Sequence, residues 1–239
     1  EIQSQFTFLP YITYDSAAEI PVPYICTEKG QLCTVFENEI TLQPQIIGQN
    51  PFIVYNDRII IGDQKSGLIT MFDINDQNQV KLVMNKSDKF LLNLINVFSN
   101  RGILSLAANS KFIFALSKER KVLVFNITNG QKVASPTVSS DDILFGTIKC
   151  DEDNYYIVFG TKNETKFQAV HFSYDDDQLL YDICHPIFNF IQINNDFLLI
   201  MRKNEITLHN KSDGTLVESF LVPVDDLSIF KSKYINDKN

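Results

Sequence analysis

Tryptophan is absent from the 239-residue chain, and histidine and methionine occur three times each. So few imidazoles leave little material for histidine-based metal or acid–base chemistry. Cysteine is also sparse. Cys26, Cys33, Cys150 and Cys184 show no C-x2-C spacing, so no metal ion is expected. The nine glycines are scattered rather than gathered into a phosphate-cradling loop, and no G-x-S-x-G turn presents a nucleophile. Neither a cofactor nor an enzymatic activity is expected. Long apolar runs are missing as well: Phe197 to Met201 is about strand length, so no membrane insertion is expected. Nor does the chain open on a basic stretch, an apolar stretch and a cleavage site. Positive charge is short too, 21 Lys and Arg against 29 Asp and Glu, a net charge of -8. Whole-molecule attraction to nucleic acid or anionic lipid is thereby excluded, and a partner of that kind needs a concentrated basic patch.

What is there is a repeat. With 44% hydrophobic and 21% charged residues the chain is an ordinary folded protein, and its length fits one domain. Ile103 to Ala108, Lys111 to Leu116, Lys121 to Asn126 and Gln131 to Val133 are four short β-type runs separated by turn residues. The third run ends in an aromatic and a polar residue, and the same ending recurs elsewhere. The markers Phe36, Phe72, Phe125, Phe172 and His209 lie 36, 53, 47 and 37 residues apart. Four-stranded propeller blades repeat at about 40 to 45 residues. The pattern predicts an all-β protein, a β-propeller of four-stranded antiparallel blades with limits near 1–48, 49–101, 102–141, 142–185 and 186–223. Residues 224–239, with Leu227 to Phe230 as a first strand, read as the start of a further blade, so a six- to seven-bladed ring is expected to be completed by residues beyond these. Within the second unit, Phe90, Leu91, Leu94, Ile95 and Phe98 recur at helical spacing and predict a short inserted helix or a long outer strand and loop.

On these marker strands, as in Phe72-Asp73, Phe125-Asn126 and His209-Asn210, the chain resembles the divergent WD-repeat and WD-like propeller superfamily. The resemblance spans nearly the whole length and is one of strand pattern: the family's Trp-Asp and Gly-His pairs are absent. It implies a non-enzymatic scaffold or recognition subunit that mediates protein–protein contacts in a multi-subunit complex.

Propeller geometry converts turn composition into faces. Turns between second and third strands hold Lys29, Lys65, Lys118, Arg120, Lys121, Lys162, Lys166, Arg202 and Lys203, which predicts a basic mouth. The opposite turns hold Asp57, Asp73, Asp151, Glu152, Asp153 and Asp175 to Asp177, an acidic face. The basic mouth gives the second expectation, an accessory subunit of an RNA- or DNA-processing complex in which these cations position a phosphate backbone. The acidic runs lack the Gly and closing Glu of a calcium loop and are expected to be solvated turns. His171 and His209 fall in third strands, where packed or edge histidines are expected. Cys26 and Cys33 flank a turn at Lys29-Gly30 and are expected opposite each other as a hydrogen-bonded pair, where side chains are further apart. Free thiols and a reducing compartment, cytoplasm or nucleus, follow.

Overall fold

The computed structural model describes residues 12–14, 23–26, 31–36, 39–46, 50–74, 80–84, 102–172, 177–183, 187–192, 196–202 and 205–221. Lys29, Lys203, the helical spacing within 86–100, the segment 224–239 and most of the Asp175 to Asp177 run lie outside them. The described residues form twenty strands and no helix. They are β1 (Ile12–Tyr14), β2 (Pro23–Cys26), β3 (Gln31–Phe36), β4 (Glu39–Ile46), β5 (Phe52–Tyr55), β6 (Arg58–Gly62), β7 (Ile69–Asp73), β8 (Val80–Met84), β9 (Ile103–Ala108) and β10 (Phe112–Ser117). The remainder are β11 (Val122–Asn126), β12 (Lys132–Ala134), β13 (Phe145–Cys150), β14 (Asn154–Gly160), β15 (Thr165–Phe172), β16 (Asp177–Ile183), β17 (Ile187–Gln192), β18 (Phe197–Arg202), β19 (Glu205–Asn210) and β20 (Leu216–Leu221). Each run of four consecutive strands is one sheet, ordered as in sequence. By contact density the chain divides into two compact units, Glu1–Asp153 and Asn154–Asn239. All five marker residues stand on the third strand of a sheet, as the repeat predicts.

The second strands explain why the sheets stack. Every residue of β10 is buried, as are six of seven in β14, so both faces of these strands are covered. β-Branched and aromatic residues dominate both, which suits a pleated surface packed on each side. In the first unit Ile60, Ile69 and Met71 of one sheet interlock with Ile103, Leu106, Ile113 and Phe125 of the next. Burial of a large apolar side chain is worth about 1.5–3 kcal/mol, so a cluster of this size dominates the local energetics. The two sheets also approach at backbone level. A Cβ on Gly102 would lie 1.8 Å from the carbonyl oxygen of Gln64, and one on Gly62 would lie 2.6 Å from Ile103 Cγ2. In the second unit the core joins Tyr156, Val158, Phe167 and Ala169 to Leu198 and Ile200.

Turn chemistry closes the strands. Asn56 and Asp57 link β5 to β6 with φ of 48° and 56°, the left-handed pair that suits a two-residue hairpin and that Asn and Asp tolerate. The β11–β12 and β19–β20 turns are copies of one another. In the first, Asn126 Oδ1 accepts from Thr128 N–H (2.9 Å) and Gly130 takes φ 69°; in the second, Asn210 Oδ1 accepts from Ser212 N–H (3.0 Å) and Gly214 takes φ 73°. The residue after the Asn is a plug in both. Ile127 N–H donates to Lys111 O (3.0 Å), Lys211 N–H donates to Asp196 O (2.7 Å), and Ile74 N–H donates in the same way to Asp57 O (2.9 Å). Each bond ties the third strand's exit to the turn between the first two strands.

The outer strands share a device that the sequence pattern did not announce. Along β7–β8 the register passes from Met71↔Leu82 to Phe72↔Val80, skipping Lys81. The same one-residue bulge skips Val133, Leu180 and Val217. One expectation needs correction. Cys33 pairs with Ile25, and Cys26 with Leu32, a register one residue away from the one that a two-residue turn at Lys29-Gly30 imposes. The cysteines are therefore one register step apart. The first strand of the fourth sheet begins at Phe145. Ile143 is buried ahead of it, its N–H donating to Lys118 O at 3.2 Å.

Candidate functional site

Of the expected basic residues, the described ones, Lys65, Lys118, Arg120, Lys121, Lys162, Lys166 and Arg202, lie at or between the ends of second and third strands, and their local geometry can be followed turn by turn. Between β6 and β7, Asp63 Oδ1 accepts from Lys65 N–H (2.8 Å), Ser66 N–H (2.5 Å) and Ser66 Oγ–H (2.9 Å). Burial by itself pushes the Asp63 carboxyl up, but the hydrogen bonds from Ser66 and Lys65 outweigh it and hold the group below its ordinary value. This turn is then docked on the next sheet: Asp63 O accepts from Ile103 N–H (3.0 Å), and Lys118 Nζ reaches Gln64 O at 3.4 Å.

Between β10 and β11, Ser117 Oγ accepts from Glu119 N–H (3.1 Å), and Arg120 sits at φ 72°. Its guanidinium donates to Ser140 O (2.9 Å) and pairs with Asp142 at 3.4 Å. Lys121 bridges to Thr137 beside it. In the second unit Lys162 is exposed, Lys166 pairs with Glu164 at 3.2 Å, and Arg202 pairs with Glu205 at 3.3 Å. Lys65, Lys118, Arg120 and Lys121 thus belong to one unit, and Lys162, Lys166 and Arg202 to the other. Three of these seven cations are matched by a carboxylate. Such pairs are worth little energetically at the surface, but they lower the charge offered to an anion.

At the opposite ends of the strands the acidic turns are built into the fold. Asn109 Nδ2 donates to Asp151 O (2.8 Å) and Glu152 O (3.2 Å), while its Oδ1 accepts from Lys111 N–H (3.0 Å) and Phe112 N–H (2.7 Å). Asp151 Oδ1 accepts from Asp153 N–H at 3.0 Å. Among the described residues, no group of three or more His, Cys, Asp and Glu side chains is placed to share a metal ion. Cys150 is held protonated, first by burial and then by the Asp151 and Glu152 carboxylates beside it, the opposite of an activated thiol. Cys33 is buried, and neither it nor Cys150 is in a disulfide.

The third-strand histidines are packed side chains. His209 is buried, with Nδ1 2.9 Å from Gly214 O and Nε2 2.9 Å from Thr207 Oγ1. A carbonyl can only accept, so Nδ1 carries a proton. His171 Nδ1 lies 3.1 Å from Asn154 Oδ1.

What sequence reasoning missed is on the outer strands of the second unit. Every residue of β20 is exposed, including Leu216, Val217, Phe220 and Leu221, and so are Leu179 and Leu180 of β16. One signal was present: the adjacent apolar pairs Leu179-Leu180 and Leu216-Val217 break the alternation of an edge strand, and each contains the bulged residue.

Sequential four-stranded antiparallel sheets, each packed by its central strands, define a β-propeller architecture. No protein-family model and no curated protein matches the sequence. Among solved structures 1186 chains match, one of them in the crystal structure of a mitotic checkpoint complex. That chain aligns at a TM-score of 0.63 with 9% identity, over 89% of this chain and 65% of its own length. The likeness is one of fold.

Proposed function

We propose that the chain is a non-enzymatic scaffold or recognition subunit, a WD-like propeller domain over residues 1–239 whose surfaces dock partner proteins in a multi-subunit assembly. The observation that carries this is where the polar and apolar groups go. Turn residues able to do chemistry, such as Asp63, Asn109, Asn126 and Asn210, spend their hydrogen bonds on the fold, while large apolar side chains stand exposed on outer strands. Monomeric soluble proteins rarely expose contiguous apolar patches unless something binds them. Likeness to a chain of a multi-protein complex supports the same reading. The decisive experiment is affinity purification of the tagged protein expressed at its natural level, followed by size-exclusion chromatography. Stoichiometric partner proteins in a defined peak are expected; a monomer alone overturns the proposal.

The nucleic-acid expectation draws on the turn cations, and pairing of Arg120, Lys166 and Arg202 with carboxylates leaves it weaker. Lys65→Glu and Lys162→Glu are the informative reversals, because Lys118 and Arg120 also hold backbone carbonyls. Loss of a steeply salt-dependent RNA or DNA affinity in these variants would restore that reading.

A further inference from the structure

We propose that Asn129 is a modification site, a position at which the chain deamidates itself and exchanges a neutral amide for a carboxylate, with water as the co-reactant. This chemistry does not depend on the scaffold role. Asn129-Gly130 is the single Asn-Gly pair in the sequence. Glycine carries no Cβ to shield its own amide nitrogen, so that nitrogen can close on the side chain before it.

The turn between β11 and β12 brings the reacting atoms together. Asn129 is exposed, as are Thr128, Gln131 and Lys132 around it, so water and hydroxide reach the amide. Gln131 N–H donates to Asn129 Oδ1 at 2.9 Å. That bond closes a ring containing both Asn129 Cγ and the Gly130 nitrogen. A backbone donor on the oxygen also stabilises the negative charge that develops there when Cγ is attacked. Nδ2, the leaving group, donates to nothing among the described residues. Asn109, followed by Ser110, has the opposite arrangement. It is buried, its Oδ1 accepts from two backbone N–H groups, and its Nδ2 donates to Asp151 O and Glu152 O, so the amide is clamped at both ends.

The atoms balance with water. Hydroxide takes the Gly130 amide proton, the nitrogen bonds to Asn129 Cγ, and the Cγ–Nδ2 bond breaks as ammonia leaves with a proton from water. Water then opens the cyclic succinimide at either carbonyl. Cleavage between Cγ and the nitrogen leaves aspartate on the original backbone, and cleavage at the main-chain carbon leaves an isoaspartyl link through the side chain. One water is consumed and one ammonia released.

The turn sets the pace. Gly130 N–H is held by Asn126 O at 2.9 Å, so the attacking nitrogen is released when the turn opens. β12, which follows it, has three residues and none of them is buried, so that opening is local. The matched turn shows that the aspartate product fits. Asp213 stands where Asn129 does, ahead of Gly214 at φ 73° as Asn129 is ahead of Gly130 at φ 69°, and its Oδ1 accepts from Thr215 N–H at 2.9 Å. The isoaspartyl product instead adds a carbon to the ring closed by Gly130 N–H and Asn126 O, and that hydrogen bond is lost.

The test is incubation of the purified full chain at physiological temperature over a series of neutral to alkaline pH values, followed by digestion and fragment mass spectrometry. Conversion of Asn129 to aspartate and isoaspartate is expected ahead of Asn109, at a rate that rises with pH. Gly130→Ala should slow it by about tenfold or more, because the added methyl shields the nitrogen. An amide at Asn129 that lasts as long as the one at Asn109, or an unchanged rate in the Gly130→Ala variant, overturns the proposal. Should that variant fold poorly, the pH series on the unaltered chain serves, since a pH-independent rate at Asn129 removes the deprotonated nitrogen from the reaction and overturns it as well.

Discussion

The ammonium of Lys211 lies 5.4 Å from the centroid of the Tyr156 ring, at a position where the repeat elsewhere places isoleucine. Tyr156 in turn stacks on Phe167 (6.4 Å, 24°), and Phe167 on Tyr181 (5.9 Å, 28°), so one lysine caps a column of three rings. Its own carbonyl accepts from the last of them, Tyr181, at 2.9 Å.

Lys211→Ile is therefore expected to be tolerated. Ile127 fills the equivalent plug position and is buried, and its backbone makes the equivalent hydrogen bond. A cation–π contact is worth about 0.5–2 kcal/mol, comparable to what the added apolar burial returns, so the net change should stay within about 1 kcal/mol. Lys211→Glu places an anion over the ring face and should cost more than about 2 kcal/mol. Urea titration of both variants checks this, and equal stabilities for Ile and Glu would show that the ring contact carries nothing.

Gly214→Ala and Gly130→Ala separate two costs in matched turns. Both glycines have left-handed φ, 73° and 69°, so alanine strains each by about 1 kcal/mol. Only at Gly214 does the Cβ meet the Tyr181 ring, at 2.4 Å. Gly214→Ala should be the worse by about 1–3 kcal/mol in thermal melts, with Tyr181→Ala relieving part of that excess. Matching losses would place the penalty in the backbone alone.

Gly102→Ala tests how the second and third sheets meet. A Cβ 1.8 Å from Gln64 O can be admitted only by moving backbone that also carries the Asp63 O to Ile103 N–H bond. A loss above about 3 kcal/mol, or failure to fold, is expected. Circular dichroism of the purified variant reports it, and a native melting curve would contradict the close approach.

Asp63 gives a pH dependence whose sign is fixed. Its folded-state carboxyl titrates below the ordinary value of 3.8, so its charge stabilises the fold above that pH, and this contribution is lost as pH falls through the lower folded value. Asp63→Asn should therefore be less stable than the native chain at neutral pH, with the gap closing in strongly acidic solution. A gap independent of pH would assign the effect to hydrogen-bond geometry instead of charge.

Sequence by itself determined the repeat unit. Aromatic or histidine markers at Phe36, Phe72, Phe125, Phe172 and His209 all fall on third strands, since a strand paired on both sides and packed against the core imposes its composition locally. Turn residues were legible for the same reason: Asn126 and Asn210 make their own Asx turns, with Gly130 and Gly214 supplying the left-handed residue. The Cys26 and Cys33 pairing was misjudged because register depends on loop length, and a shift of one residue turns each side chain to the other face. Tertiary structure alone decided where Arg120 and Lys118 are held. Arg120 meets Asp142, and Lys118 meets the Gln64 carbonyl 54 residues away, contacts that no local pattern encodes. It also decided which apolar residues remain outside. Leu198 and Leu216 are the same residue type on strands of one sheet, yet the first is buried in the inter-sheet core and the second is 59% exposed. Burial is a property of what packs against a strand, and the strand's own sequence does not contain it.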